Sequence, residues 1–137
     1  MISWFEKHNK VSWTITILIA IMIFYISSLT FSKIPSEPGK FNMKPILYHI
    51  IAFFFLAFFL LISLVQEKNK QYVLPAILIS VIYGILDEIH QLFVPGRSSS
   101  TSDLLLDSLG IIFAFMLYSI NLEYRYIKNN TLNNKNL

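Results

Sequence analysis

Cysteine is absent from the 137 residues, which excludes disulfide staples and thiolate metal ligation. Charge is scarce as well. Only 14% of the residues are Asp, Glu, Lys or Arg, well below the roughly 25% of a soluble domain. A formal net charge of +3 is too small to mark a nucleic-acid partner. There is no internal repeat and no low-complexity linker. What is present is apolar: 55% of the residues are hydrophobic and 15% aromatic, gathered in four blocks at 11–31, 45–65, 72–93 and 103–121. Each block, at about 17 to 22 residues, is long enough to cross a hydrocarbon core of about 30 Å at about 1.5 Å per residue. A soluble core helix would keep a polar face, and these blocks mostly lack one. The expected fold is all-α, a polytopic membrane protein forming a four-transmembrane-helix bundle. One membrane domain is expected over residues 1–125, followed over 126–137 by a polar C-terminal tail that is frayed or disordered.

The first block follows a short head with Glu6, Lys7, His8 and Lys10, a pattern that signal peptides share. Their apolar regions run about 7 to 15 residues, and this one is longer, so the segment is expected to be retained as a spanning helix. Connections are short. Residues 32–44 carry Pro35, Pro38 and Gly39 ahead of Pro45, a loop that stops one helix and starts the next. Residues 66–71 form a tight polar turn, which makes the second and third helices antiparallel neighbours. Pro95-Gly96 signals a turn, and the serine-rich run 98–102 supplies side-chain caps for the fourth helix.

Four crossings place Lys7, Lys10, Lys68, Lys70, Arg125, Lys128 and Lys135 on one side, against Lys33, Lys40, Lys44 and Arg97 on the other. The positive-inside rule then assigns both termini to the cytoplasm and the loops 32–44 and 94–102 to the outside.

Several polar residues do not belong in lipid. Asp87, Glu88, His90 and Gln91 lie near the outer end of the third helix, Asp103 and Asp107 at the outer start of the fourth, and His49 at the outer start of the second. All share one depth. Ionisable groups cost about 2.5 to 3.5 kcal/mol each at a bilayer centre and usually face a bundle interior or a watery cavity. Helical spacing puts Tyr83, Asp87, His90 and Gln91 on one face, with Glu88 offset by about 100°. Asp103, Asp107 and Gly110 form a stripe, Gly110 permitting close approach of a neighbouring helix. Arg97 is placed to pair with Asp87, Asp103 or an anionic ligand through its bidentate fork. Structural roles compete with chemical ones. Asp103 suits an N-cap or first-turn acid, Glu88, His90 and Arg97 suit interfacial groups, and His49 suits an interhelical hydrogen-bonder. The phenylalanine blocks at 53–55 and 58–59 are packing or lipid-facing residues.

The run Asp87-Glu88-Ile89-His90-Gln91-Leu92-Phe93-Val94-Pro95-Gly96-Arg97-Ser98, followed by Asp103 and Asp107-Ser108-Leu109-Gly110, resembles the signature of the VanZ-like family of small integral membrane proteins. Tyr25-Ile26-Ser27-Ser28-Leu29, His49 and Leu56 add to the resemblance, which covers about residues 20 to 115. There are departures. Many relatives carry Asp-Lys shortly before the helix-two His and a Tyr four residues after it, where this chain has Pro45, Ile46 and Phe53, with Lys44 one residue farther off. Asp107 stands where relatives often have Asn. The resemblance implies a multi-pass protein of the cell membrane, acting at the cell envelope, with a link to low-level resistance to lipoglycopeptides such as teicoplanin. It carries no defined reaction.

Two function classes follow. In one, the protein binds or modifies an envelope lipid or lipid-linked component, with His49, Gln91, Arg97, Asp103 and Asp107 as binding residues. In the other it is a membrane-embedded enzyme acting on a polar headgroup, with Asp87 or Glu88 as general base and His90 as acid/base partner. A divalent metal held by Asp87, His90 and Asp107 is a variant of the second, without any HExxH-type spacing behind it. Expected partners are membrane lipids and a lipid-linked envelope substrate. The pattern specifies no particular cofactor or oligomeric state. An open cavity lined by the carboxylates would favour chemistry, and internal pairing would favour a binding or structural role.

Overall fold

In lipid every backbone N–H and C=O must be satisfied within the segment, so apolar blocks of this length fold as helices. The computed structural model describes residues 2–29, 43–66, 69–97 and 99–135. They form α1 (Ile2–Lys7), α2 (Asn9–Ser27), α3 (Met43–Val65), a 3-10 turn (Lys70–Tyr72), α4 (Val73–Leu92) and α5 (Thr101–Lys135). There is no strand among the described residues, and α2, α3, α4 and α5 are each long and apolar enough to cross a membrane. The loop expected at 32–44 lies outside the described residues up to the start of α3, as do Ser98 and part of the 66–71 turn.

Helix α3 is the centre of the bundle. Its apolar window is 56% buried, against 22% to 28% for the other three, and it packs on α1, α2, α4 and α5. The buried set Phe53, Leu56, Ala57, Leu60, Leu61 and Ile62 meets Ile23 of α2, Ala76 of α4, and Ile111, Ala114 and Tyr118 of α5. Large apolar side chains elsewhere on α2, α4 and α5, such as Ile21, Leu78, Leu86, Ile112 and Met116, are about half exposed. A soluble protein would not tolerate so continuous a belt. It is the surface a bilayer covers.

Buried hydroxyls turn back on their own helices. Thr16 donates to Ser12 O, Ser63 to Phe59 O and Ser80 to Ala76 O, each at 2.8–2.9 Å. Thr16 and Ser63 also meet across α2 and α3 at 3.4 Å. Tyr83 reaches from α4 to donate to Ala20 O of α2 at 2.5 Å.

Residues 126–135, expected to belong to a polar tail, continue the last helix. Helix α5 runs without a break through Lys135, and no change of secondary structure marks residue 125. No glycine or proline follows Gly110, so nothing interrupts the backbone ladder. Thr131 Oγ1 donates to Ile127 O at 2.9 Å, and Lys70 Nζ sits 5.5 Å from the centre of the Tyr126 ring. At 35 residues, α5 spans about 52 Å, more than a hydrocarbon core of about 30 Å. One end of it extends past the bundle.

Candidate functional site

The polar layer forms where α3 and α5 cross closely. A Cβ on Gly110 would collide with the carbonyl oxygen of Ile50 and stand 2.9 Å from Phe54 N. Only a glycine lets the two backbones meet there. His49 is the residue before Ile50, and Asp107 lies one turn before Gly110. The crossing therefore sets them face to face, His49 Nδ1 and Asp107 Oδ1 being 2.9 Å apart. His49 Nε2 lies 4.0 Å from Asp103 Oδ2, in the first turn of α5.

Helix α4 supplies the other side. It closes with Phe93 N donating to His90 O and Val94 N to Gln91 O, and Gly96 at φ 82° turns the chain toward α5. Ser100 caps α5, its hydroxyl accepting from Ser102 N at 3.2 Å. Its own N–H donates to Glu88 Oε2 at 2.8 Å, which fastens α4 to the start of α5. Asp87 Oδ2 accepts from Gln91 Nε2 at 2.8 Å. Asp87, Glu88, Gln91, His49 and Asp107 are all buried. Asp87 Oδ1, Glu88 Oε1 and Asp107 Oδ2 are buried too, without a hydrogen-bond partner among the described residues.

The structure divides the expected residues. His49, Glu88, Asp103 and Asp107 come together, with Asp87 and Gln91 paired beside them. His90 turns away. Its Nε2 is 3.0 Å from Ser28 Oγ, and its ring stacks on Phe24 of α2 at 4.4 Å. Residues two apart on a helix differ by about 200°, so a Glu88 aimed at α5 sends His90 toward α2. The metal set Asp87, His90 and Asp107 is corrected accordingly. The group that converges among the described residues is His49, Glu88 and Asp107. Arg97 lies half-buried in the α4–α5 turn, its backbone N–H donating to Val94 O.

Sequence reasoning missed Tyr48. Its hydroxyl is buried without a hydrogen-bond partner among the described residues, within electrostatic reach of Asp87, Arg97, Asp107 and Tyr83. Its flank lines an apolar groove of about 350 Å³ formed by Ile19, Met22, Leu47, Ile51, Ala52 and Phe55. A phenol next to a histidine at the start of an apolar helix was the available signal. A second cluster, at the end that holds the termini, was missed as well. Glu6 of α1 accepts from Tyr118 Oη at 2.8 Å and from Arg125 Nη1 at 2.6 Å, both on α5.

The family model described as VanZ/LLP1 matches residues 5–122, a stretch that includes the four spans through residue 122 and the whole polar layer. The chain belongs to the VanZ/LLP1 family. No match was found among curated proteins or among solved structures. As a VanZ/LLP1 member with four apolar helices, it is a multi-pass membrane protein, and the run from Asp87 to Arg97 is the end of α4 and the turn after it, beyond which Ser100 meets Glu88.

Proposed function

We propose that the protein binds a lipid or lipid-linked component of the cell envelope, chain in the apolar groove and polar headgroup at the outward-facing layer of His49, Asp87, Glu88, Arg97, Asp103 and Asp107. The observation that carries this reading is Tyr48, a single side chain that lines the groove and buries a hydroxyl with no hydrogen-bond partner among the described residues, within electrostatic reach of Asp87 and Asp107. The groove opens sideways, since Met22, Leu47, Ile51 and Phe55 are about half exposed. A lipid can enter it from the bilayer without passing through water. Binding is favoured over catalysis because much of the layer is paired internally, His49 with Asp107, Asp87 with Gln91, and Glu88 with Ser100. The link to teicoplanin-type resistance belongs to this reading, as the outcome of holding or altering an envelope component that the drug meets.

Native mass spectrometry of protein taken from membranes tests it. The expected spectrum shows one lipid retained per chain, with retention at least ten times weaker in Ile51→Trp, which fills the groove, and reduced in Tyr48→Phe. Retention equal in all three proteins would overturn the reading.

A further inference from the structure

Three ligand-type side chains from three helices converge in a way that lipid binding does not require. His49 of α3, Glu88 of α4 and Asp107 of α5 each bring one donor atom into a group whose members lie within 4.8 Å of one another. All three are more than nine-tenths buried, with exposures of 5%, 6% and 1%. Hydrogen bonds use only part of what they offer. Asp107 Oδ1 is taken by His49 and Glu88 Oε2 by Ser100, while Asp107 Oδ2 and Glu88 Oε1 are buried with no partner among the described residues. Carboxylate oxygens left bare in an apolar bundle are costly, and a cation is what would satisfy both.

We propose that His49, Glu88 and Asp107 form a site for a divalent transition cation, Zn2+ or Mn2+. An imidazole with two carboxylates is the donor set these ions accept, and three protein ligands leave a coordination position open. Bonds of about 2.0–2.2 Å to a tetrahedral ion put the ligands about 3.3–3.6 Å apart. The widest separation, at most 4.8 Å, therefore closes by no more than about 1.5 Å. Such an ion joins α3, α4 and α5, so it is expected to stabilise the bundle as well as occupy it. It also changes what the layer accepts. Four carboxylates in the layer repel a phosphate, whereas an ion with an open position binds a phosphate oxygen. That consequence rests on the lipid-binding reading, and the cation site itself does not.

Full-length protein in detergent, stripped with EDTA and titrated calorimetrically with ZnCl2 or MnCl2, tests the site. One cation per chain is expected, together with a rise in melting temperature. Loss of an outer-shell partner weakens metal sites about 10–100-fold, so Glu88→Gln and Asp107→Asn are each expected to weaken binding about 100-fold or more. His8→Gln, at the far end, is expected to bind as the parent does. If Asp107→Asn does not fold, Glu88→Gln decides, because its amide oxygen still accepts from Ser100. The proposal is overturned by absence of stoichiometric binding, by unchanged affinity in Glu88→Gln, or by loss of binding in His8→Gln. Lipid retention measured with the cation present, rather than in EDTA, separates the two readings. Metal binding without lipid retention overturns lipid binding and supports the site, and lipid retention without metal binding overturns the site alone.

Discussion

Glu6 and Arg125, 119 positions apart in the chain, close on each other through two hydrogen bonds, Nη1 to Oε2 at 2.6 Å and Nη2 to Oε1 at 3.0 Å. Tyr118 donates to the same Oε1, and the two charged side chains are only 6% and 14% exposed. The arrangement ties the short α1 to α5 at the end of the bundle opposite the polar layer, although α1 packs mainly on α2 and α3.

Breaking that pair is expected to destabilise the fold without touching the site. Glu6→Gln removes this carboxylate's charge from a largely covered guanidinium, a loss of at most about 3–5 kcal/mol. Arg125→Lys keeps the charge and loses the fork, so its effect is smaller. Thermal unfolding in detergent reads both. An unchanged melting temperature in Glu6→Gln would show that the pair adds nothing to the fold.

Gly110→Ala is expected to separate α3 from α5, because the new methyl would meet Ile50 O and Phe54 N, both backbone atoms. Overpacking costs about 1–3 kcal/mol and occasionally more. The same loss should appear in lipid retention, since the crossing sets His49 against Asp107. Ile112→Ala, at a half-exposed position on the same helix, is the comparison and is expected to be nearly neutral in a detergent unfolding assay.

The layer itself predicts a split among near-isosteric variants. His49→Gln and Asp107→Asn remove the facing pair and are expected to lower lipid retention several-fold while membrane expression holds. His90→Gln still reaches Ser28 and is expected to retain lipid as the parent does. Retention lost in His90→Gln and kept in Asp107→Asn would move the site toward α2.

Orientation is tested by cysteines placed in a parent that has none. A cysteine at Ser99 is expected to react with an impermeant thiol reagent on intact cells, and one at Asn69 is not. Labelling at Asn69 alone reverses the topology.

The four spans and the depth of the polar layer were legible because lipid leaves an apolar block few options besides a helix, and because seven polar residues at one depth stand out against it. Pairing across helices was not legible. Whether Glu88 or His90 faces α5 depends on the rotation of α4, which the spacing of its own residues does not fix. Arg125 read as a topogenic charge and Glu6 as part of the polar head before the first span, and only the three-dimensional path of α1 over α3 brings them together. The helical 126–135 segment was hidden by its Asn-rich composition, although the lack of glycine and proline there left the ladder intact.

The central claim is that the groove beside Tyr48 selects a lipid whose headgroup the polar layer holds. A photoreactive benzophenone side chain at position 51, in the groove, and at position 112, on the open face of α5, tests it in native membranes. Adducts at position 51 are expected to be enriched several-fold in one lipid class over the bulk membrane, while adducts at position 112 mirror the bulk composition. The same bulk composition at both positions would contradict the account.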